Sequence, residues 1–199
     1  MTTTSAGFGL RPKYDERGFV RPRMYVNGIA SGYATGILKY QPVTISGGYL
    51  VVATTAADWL GVFAGWEGID STGRHIISDQ WLASQTYSSG SPNEYPMRAY
   101  VWDDPYMVFS IQADGTVAAT SIGVQADFAT AITAGSTTTG LSACQMNHTL
   151  KTTGAQGQLR IVELALGPMA GDSNTWSDTY TIVHVQNARH LYVYNKVSL

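Results

Sequence analysis

The 199 residues suit a single domain large enough to bury its own core, so neither a metal nor a disulfide is needed to hold it together. Charged residues are only 13% and Gly (21), Tyr (12) and Trp (5) are plentiful, which excludes a helical bundle or coiled coil; 44% hydrophobic content excludes global disorder. The single cysteine, Cys144, excludes an intramolecular disulfide and any multi-cysteine metal site, and a net charge of −2 gives no general reason to expect nucleic acid or an anionic membrane as partner.

The first 39 residues differ from the rest. They hold six basic residues (Arg11, Lys13, Arg17, Arg21, Arg23, Lys39) and two acidic ones, a net +4. The remaining 160 residues hold six basic and twelve acidic, a net −6. Arg11-Pro12 and Arg21-Pro22 oppose a helix interior, and Gly7, Gly9, Gly18, Gly28, Gly32 and Gly36 break any regular element. Phe8, Tyr14, Phe19, Tyr25 and Tyr33 are large groups that gain from burial but do not cluster into a core of their own. Residues 1–39 are therefore expected to form an extended basic arm that orders on another surface, either its own body or a neighbouring subunit. Residues 40–199 are expected to form one β-domain.

From Gln41 onward, short strands alternate with turn residues. Pro42–Ile45 and Tyr49–Ala53 flank Ser46-Gly47-Gly48, a hairpin signal with glycine available for positive φ. The apolar window Gly48–Trp66 carries Asp58 near its middle, which a membrane span would pay for with about 2.5–3.5 kcal/mol, so it reads as two strands around a turn at Ala57-Asp58. Strands are expected at Trp59–Phe63, Arg74–Leu82, Met97–Trp102 and Tyr106–Gln112, the last with near period-two alternation. Asp114-Gly115 signals a second hairpin, returning through Thr116–Thr120. Gly123–Ala134 is the one candidate helix, with Ala and Phe128 at helical spacing. Further strands are expected at Leu141–Met146, Gln158–Leu166, Thr179–Gln186 and His190–Tyr194. This spacing implies an all-β chain, an antiparallel β-sandwich, jelly-roll or barrel-like body with an extended N-terminal arm.

Motifs for chemistry are sparse. Gly171-Asp172-Ser173 resembles the nucleophile block of one esterase family, but His184 and His190 have Thr181 and Asn187 where the family's aspartate would stand. The four histidines are scattered, and Asp103-Asp104-Pro105 and Asp114-Gly115 read as turns rather than cation loops. Cys144 reads as a small buried apolar residue. No catalytic, cofactor-binding or metal-ligating residue is assigned, and the chain is read as a non-enzyme. Among the tryptophans, Trp59 and Trp102 fall in strong strands and read as core, whereas Trp81 and Trp176 border loops and are candidate surface aromatics. Exposed aromatics would suit a carbohydrate-binding β-module.

Several segments carry a resemblance. Residues 3–12, Leu60-Gly61-Val62-Phe63-Ala64-Gly65, Asp103-Asp104-Pro105, Ile111-Gln112-Ala113-Asp114-Gly115, Gly135–Ser142 and Gln158–Val162 resemble capsid-associated structural proteins of tailed bacteriophages, including decoration or cement proteins. The resemblance implies a β-sandwich or jelly-roll that clamps the outside of an icosahedral shell, with the major capsid protein and copies of itself (dimer or trimer) as partners. It implies neither nucleic acid nor membrane as partner, and a place on the virion after synthesis in the host bacterial cytoplasm. Charge and composition then put the arm residues Arg11, Lys13, Tyr14, Arg17, Phe19, Arg21, Arg23 and Tyr25 at the protein interface, the cations meeting carboxylates.

Overall fold

The computed structural model describes residues 4–15, 18, 20–88, 97–166 and 174–193. Among the described residues the regular structure is antiparallel β-strand and one 3-10 turn, with no α-helix. The strands are β1 (Arg11–Tyr14), β2 (Arg23–Tyr25), β3 (Pro42–Ser46), β4 (Tyr49–Val52), β5 (Gly61–Ile69), β6 (His75–Ser78), β7 (Arg98–Trp102), β8 (Val108–Gln112), β9 (Gln125–Phe128), β10 (Gly135–Ser136), β11 (Leu141–Ser142), β12 (Met146–Leu150), β13 (Leu159–Leu164) and β14 (Ile182–Asn187). One sheet runs β1-β8-β14-β13-β9-β12 and the second runs β2-β7-β5-β3-β4, with β6 on the far half of β5. A small β10-β11 ribbon stands apart.

The two large sheets sandwich one core. Phe109, Ile111, Val183, Val185, Leu159, Ile161, Ala126 and Phe128 enter it from the first sheet, and Val43, Leu50, Phe63, Trp66, Ala99 and Val101 from the second. Trp59, in the β4–β5 connection, packs on the first sheet, edge-on to Phe128 at 5.1 Å and tilted against Phe109 at 6.3 Å. Burying a side chain of this size removes some 150–250 Å² from water, which makes the tryptophans the largest single contributors to the core. The expected hairpin at Ser46-Gly47-Gly48 joins β3 to β4, with φ of 56° and 84° at the two glycines, the twist that suits a two-residue connection. Between β4 and β5 the chain turns through Ala56 and Ala57, so the window 48–66 is two strands, and no helix among the described residues is long and apolar enough to cross a membrane.

Three expectations fail, each for a tertiary reason. Residues 123–134 hold β9 instead of a helix: Ala126 and Phe128 enter the core while Asp127 points outward to Lys151, a period of two that pairing with β12 and β13 rewards. No return strand follows Asp114-Gly115, because both edges of β8 are already occupied by β1 and β14. The chain instead passes through Val117, whose N–H donates to Thr181 Oγ1, into the 3-10 turn Ala119–Ser121. At His190 there is a single bridge to Trp59 rather than a strand, and Tyr194 lies outside the described residues.

The N-terminal segment lies on its own body. β1 is the edge of the first sheet against β8, and β2 is the edge of the second against β7. Leu10, immediately before β1, is fully buried and donates its N–H to Tyr40 O at 2.9 Å. Of the two surfaces the arm might order on, its own β-domain accounts for the described residues.

Candidate functional site

Because β7 and β8 are consecutive across the sandwich, β1 and β2 build the same lateral flank. The arm cations have different fates there. Arg23 reaches Asp103 of its own chain at 3.3 Å and lies over the Tyr25 ring at 5.3 Å. Tyr25 donates to the same Asp103 carboxylate at 2.5 Å; burial first, then this bond, pushes its phenol well above the ordinary range. Arg11 stacks between aromatic rings, 5.1 Å from Phe8 and 5.7 Å from Tyr40. Lys13 is half-buried and Arg21 exposed, and neither forms an ion pair among the described residues. Tyr14 donates to Glu163 at 2.9 Å. Arg17 and Phe19 lie outside the described residues. Beside Arg21 the flank is apolar and open, with Val20, Met24 and Val26 at 40%, 44% and 52% exposure.

Around the corner from this flank, the outer face of the second sheet carries a groove of about 450 Å³. Tyr40, Tyr100 and Trp102 line it, Ala64 and Gly65 line its floor, and Lys39, Asp79 and Ile77 sit at its rim. Residues 98, 100 and 102 of β7 face out because Ala99 and Val101 face the core. Tyr40 and Trp102 stack at 5.8 Å and 16°. Lys39 and Asp79 pair at 3.9 Å, and the Lys39 ammonium also sits 5.7 Å from the Tyr40 ring. Tyr100 donates to Glu67 at 2.8 Å, which together with burial raises its phenol.

Two features of the groove are costly. Tyr40 adopts φ 68°, a left-handed conformation in which a bulky side chain is an outlier, costing of order 1–3 kcal/mol. The enclosed indole nitrogen of Trp102 has no hydrogen-bond partner among the described residues, a further ~1–3 kcal/mol.

The tryptophan expectations need correction. Trp81 is fully buried, edge-on to Trp66 at 5.3 Å, with its indole N–H donating to Tyr33 O; it is not a surface aromatic. Trp176 is half-buried against the core. Trp102, read as core, is the ring that faces the groove. Tyr40 carried no local signal, since its neighbours in space come from β5, β7 and the arm. The alternation across Arg98–Trp102 was the one clue to the outward face.

Other chemical candidates resolve into structural roles. Burial pushes the Cys144 thiol up to about 12, away from nucleophilic use. Asp104 accepts the Tyr106 N–H in a turn, and Asp114 accepts both the backbone N–H of His148 and a contact from its ring at 2.8 Å. His190 contacts Asp103 O, and His184 pairs with Glu163 at 2.9 Å. Among the described residues no group of three or more His, Cys, Asp or Glu side chains converges on a metal position, and Gly171-Asp172-Ser173 lies outside them.

Compared with family models, curated proteins and solved structures, the chain has no match.

Proposed function

We propose that this chain is a virion structural protein that binds the outer surface of an icosahedral phage capsid and stabilises it, the role its sequence resemblance implies. Its partners in this reading are the major capsid protein and further copies of itself. The observation that supports it is the lateral flank around β2, where Arg21, with no ion pair among the described residues, stands beside exposed Val20, Met24 and Val26. Apolar area with a cation at its margin is the composition of a protein-binding patch, in which burial supplies affinity and charge supplies orientation. Many copies on one shell make modest individual contacts collectively strong.

Arg11 and Arg23 make contacts within the molecule, and β1 and β2 are sheet edges, so removing residues 1–25 wholesale would strip both edges and confound attachment with folding. Point changes separate the two. The double variant Arg21→Glu, Met24→Asp is expected to melt like the parent and to lose at least about tenfold in co-sedimentation with purified heads, equivalent to 1.4 kcal/mol. Full occupancy of heads by this variant would sink the proposal.

A further inference from the structure

The aromatic groove on the second sheet adjoins the flank used above through Pro22, which lines it, while Arg21 and Met24 do not. We propose that it binds a saccharide, with a pyranose ring seated on Tyr40 and Trp102 and its hydroxyls bracketed by Lys39 and Asp79.

The chemistry of the walls selects the ligand. A sugar ring has an apolar C–H face and a polar periphery, so it needs flat, polarisable side chains beside paired donors and acceptors. Tyr100 and Trp102 leave β7 on the same face, and Tyr40 stacks on Trp102. At the rim Lys39 supplies donors and Asp79 acceptors 3.9 Å apart, both partly exposed at 30% and 49% of their side chains. Such a neutral pair hydrogen-bonds to vicinal hydroxyls, whereas a charged ligand would meet one repelling partner. Gly65 lines the groove at the β5 bulge with φ 150°, where a Cβ would lie 2.8 Å from the backbone oxygen of Ser78, so glycine here lets β6 and the Asp79 that follows it close in on the groove. The volume of about 450 Å³ is in the range of small-ligand sites.

Backbone strain points to the same place. Tyr40 is held at φ 68° by its N–H to Phe63 O and by Leu10 N–H to its own O, both 2.9 Å. Glycine or asparagine would satisfy that backbone more cheaply. The aromatic ring at this position and the indole nitrogen of Trp102, without a partner among the described residues, are two uncompensated costs meeting in one groove, and local strain of this kind concentrates at ligand sites.

The test is titration of the full chain with tetrasaccharides of glucose (α1-4 and β1-4), mannose, galactose and N-acetylglucosamine, followed by tryptophan fluorescence and calorimetry. At least one is expected to bind saturably with Kd at or below about 1 mM, and Tyr40→Ala and Asp79→Asn to weaken it at least about tenfold. Asp79 is exposed, so Asp79→Asn keeps the test valid should Tyr40→Ala fail to fold. No saturable binding by any of the five overturns the proposal, as does binding that both variants leave intact. Loss of head attachment in Asp79→Asn without any saccharide binding would overturn it in favour of a protein seat. The Arg21→Glu, Met24→Asp variant is expected to bind the saccharide normally, so this inference and the capsid reading stand or fall separately.

Discussion

Gln158 shows how much one buried amide can organise. Its Nε2 donates to Thr54 O and Ala57 O, both at 2.8 Å, and its Oε1 accepts from Ala56 N and Phe128 N at 2.9 and 3.3 Å. All four bonding positions of the side chain are used, and the residue is fully buried. It thereby ties the β4–β5 turn of one sheet to β9 of the other. Gln158→Ala strands several backbone groups in a dry site, and at ~1–3 kcal/mol for each unsatisfied group we expect a loss of at least about 3 kcal/mol, read from urea unfolding midpoints at unchanged m-value. A loss under about 1 kcal/mol would mean that water replaces the amide. From the sequence, Gln158 was legible only as the start of a strand, because its partners lie about 30 and 100 residues away.

At the scale of elements, strand placement was largely legible where one face is buried. The alternation in 98–102 and the glycine pair at 47–48 each state a local rule that the fold obeys. Residues 123–134 and 116–120 were misread because their fate depends on which edges are free, a property of the assembled sheet. For the same reason Tyr40 and Trp102 were invisible as a pair. The attachment of β1 is a matter of this scale too. Tyr14 on β1 donates to Glu163 on β13, and His184 on β14 lies between them, edge-on to Tyr14 at 6.2 Å. The bond from His184, then that from Tyr14, holds the Glu163 carboxyl below its ordinary range. A carboxyl depressed in the folded state stabilises above its unfolded pKa, and that stabilisation is lost as the pH falls through the folded value. Amide protection along β1 is therefore expected to hold above the ordinary glutamate pKa of about 4.3 and to fall as the pH drops below it, measured by hydrogen exchange, and to lose most of this dependence in Glu163→Gln. A slope unchanged in that variant would assign the effect to other carboxylates.

Over the whole molecule, the +4 and −6 of the two segments meet inside the chain at two ion pairs among the described residues. Arg23–Asp103 and Lys39–Asp79 join the N-terminal segment to the body, and Arg189–Asp58 and Lys151–Asp127 lie within the body. Partly exposed pairs of this kind contribute about 0–1 kcal/mol each and are screened by salt. The fold rests on its single apolar core instead. Raising NaCl from about 0.05 to about 0.5 M should therefore move the melting temperature little, while attachment to heads through Arg21 weakens several-fold. Calorimetry and co-sedimentation across the same salt series check both halves; attachment indifferent to salt would remove Arg21 from the contact.

The edge positions of β1 and β2 also set an order in time. β2 and β1 pair with strands that begin at Arg98 and Val108, and β8 is itself completed by β14, which begins at Ile182. During synthesis β2 therefore waits, unpaired, until Arg98–Trp102 has emerged, and the sheet that β1 edges is complete only much later, once β14 follows. The basic, proline-punctuated character of that stretch then has a second use: it keeps a long-lived nascent segment soluble until its sheets exist to receive it.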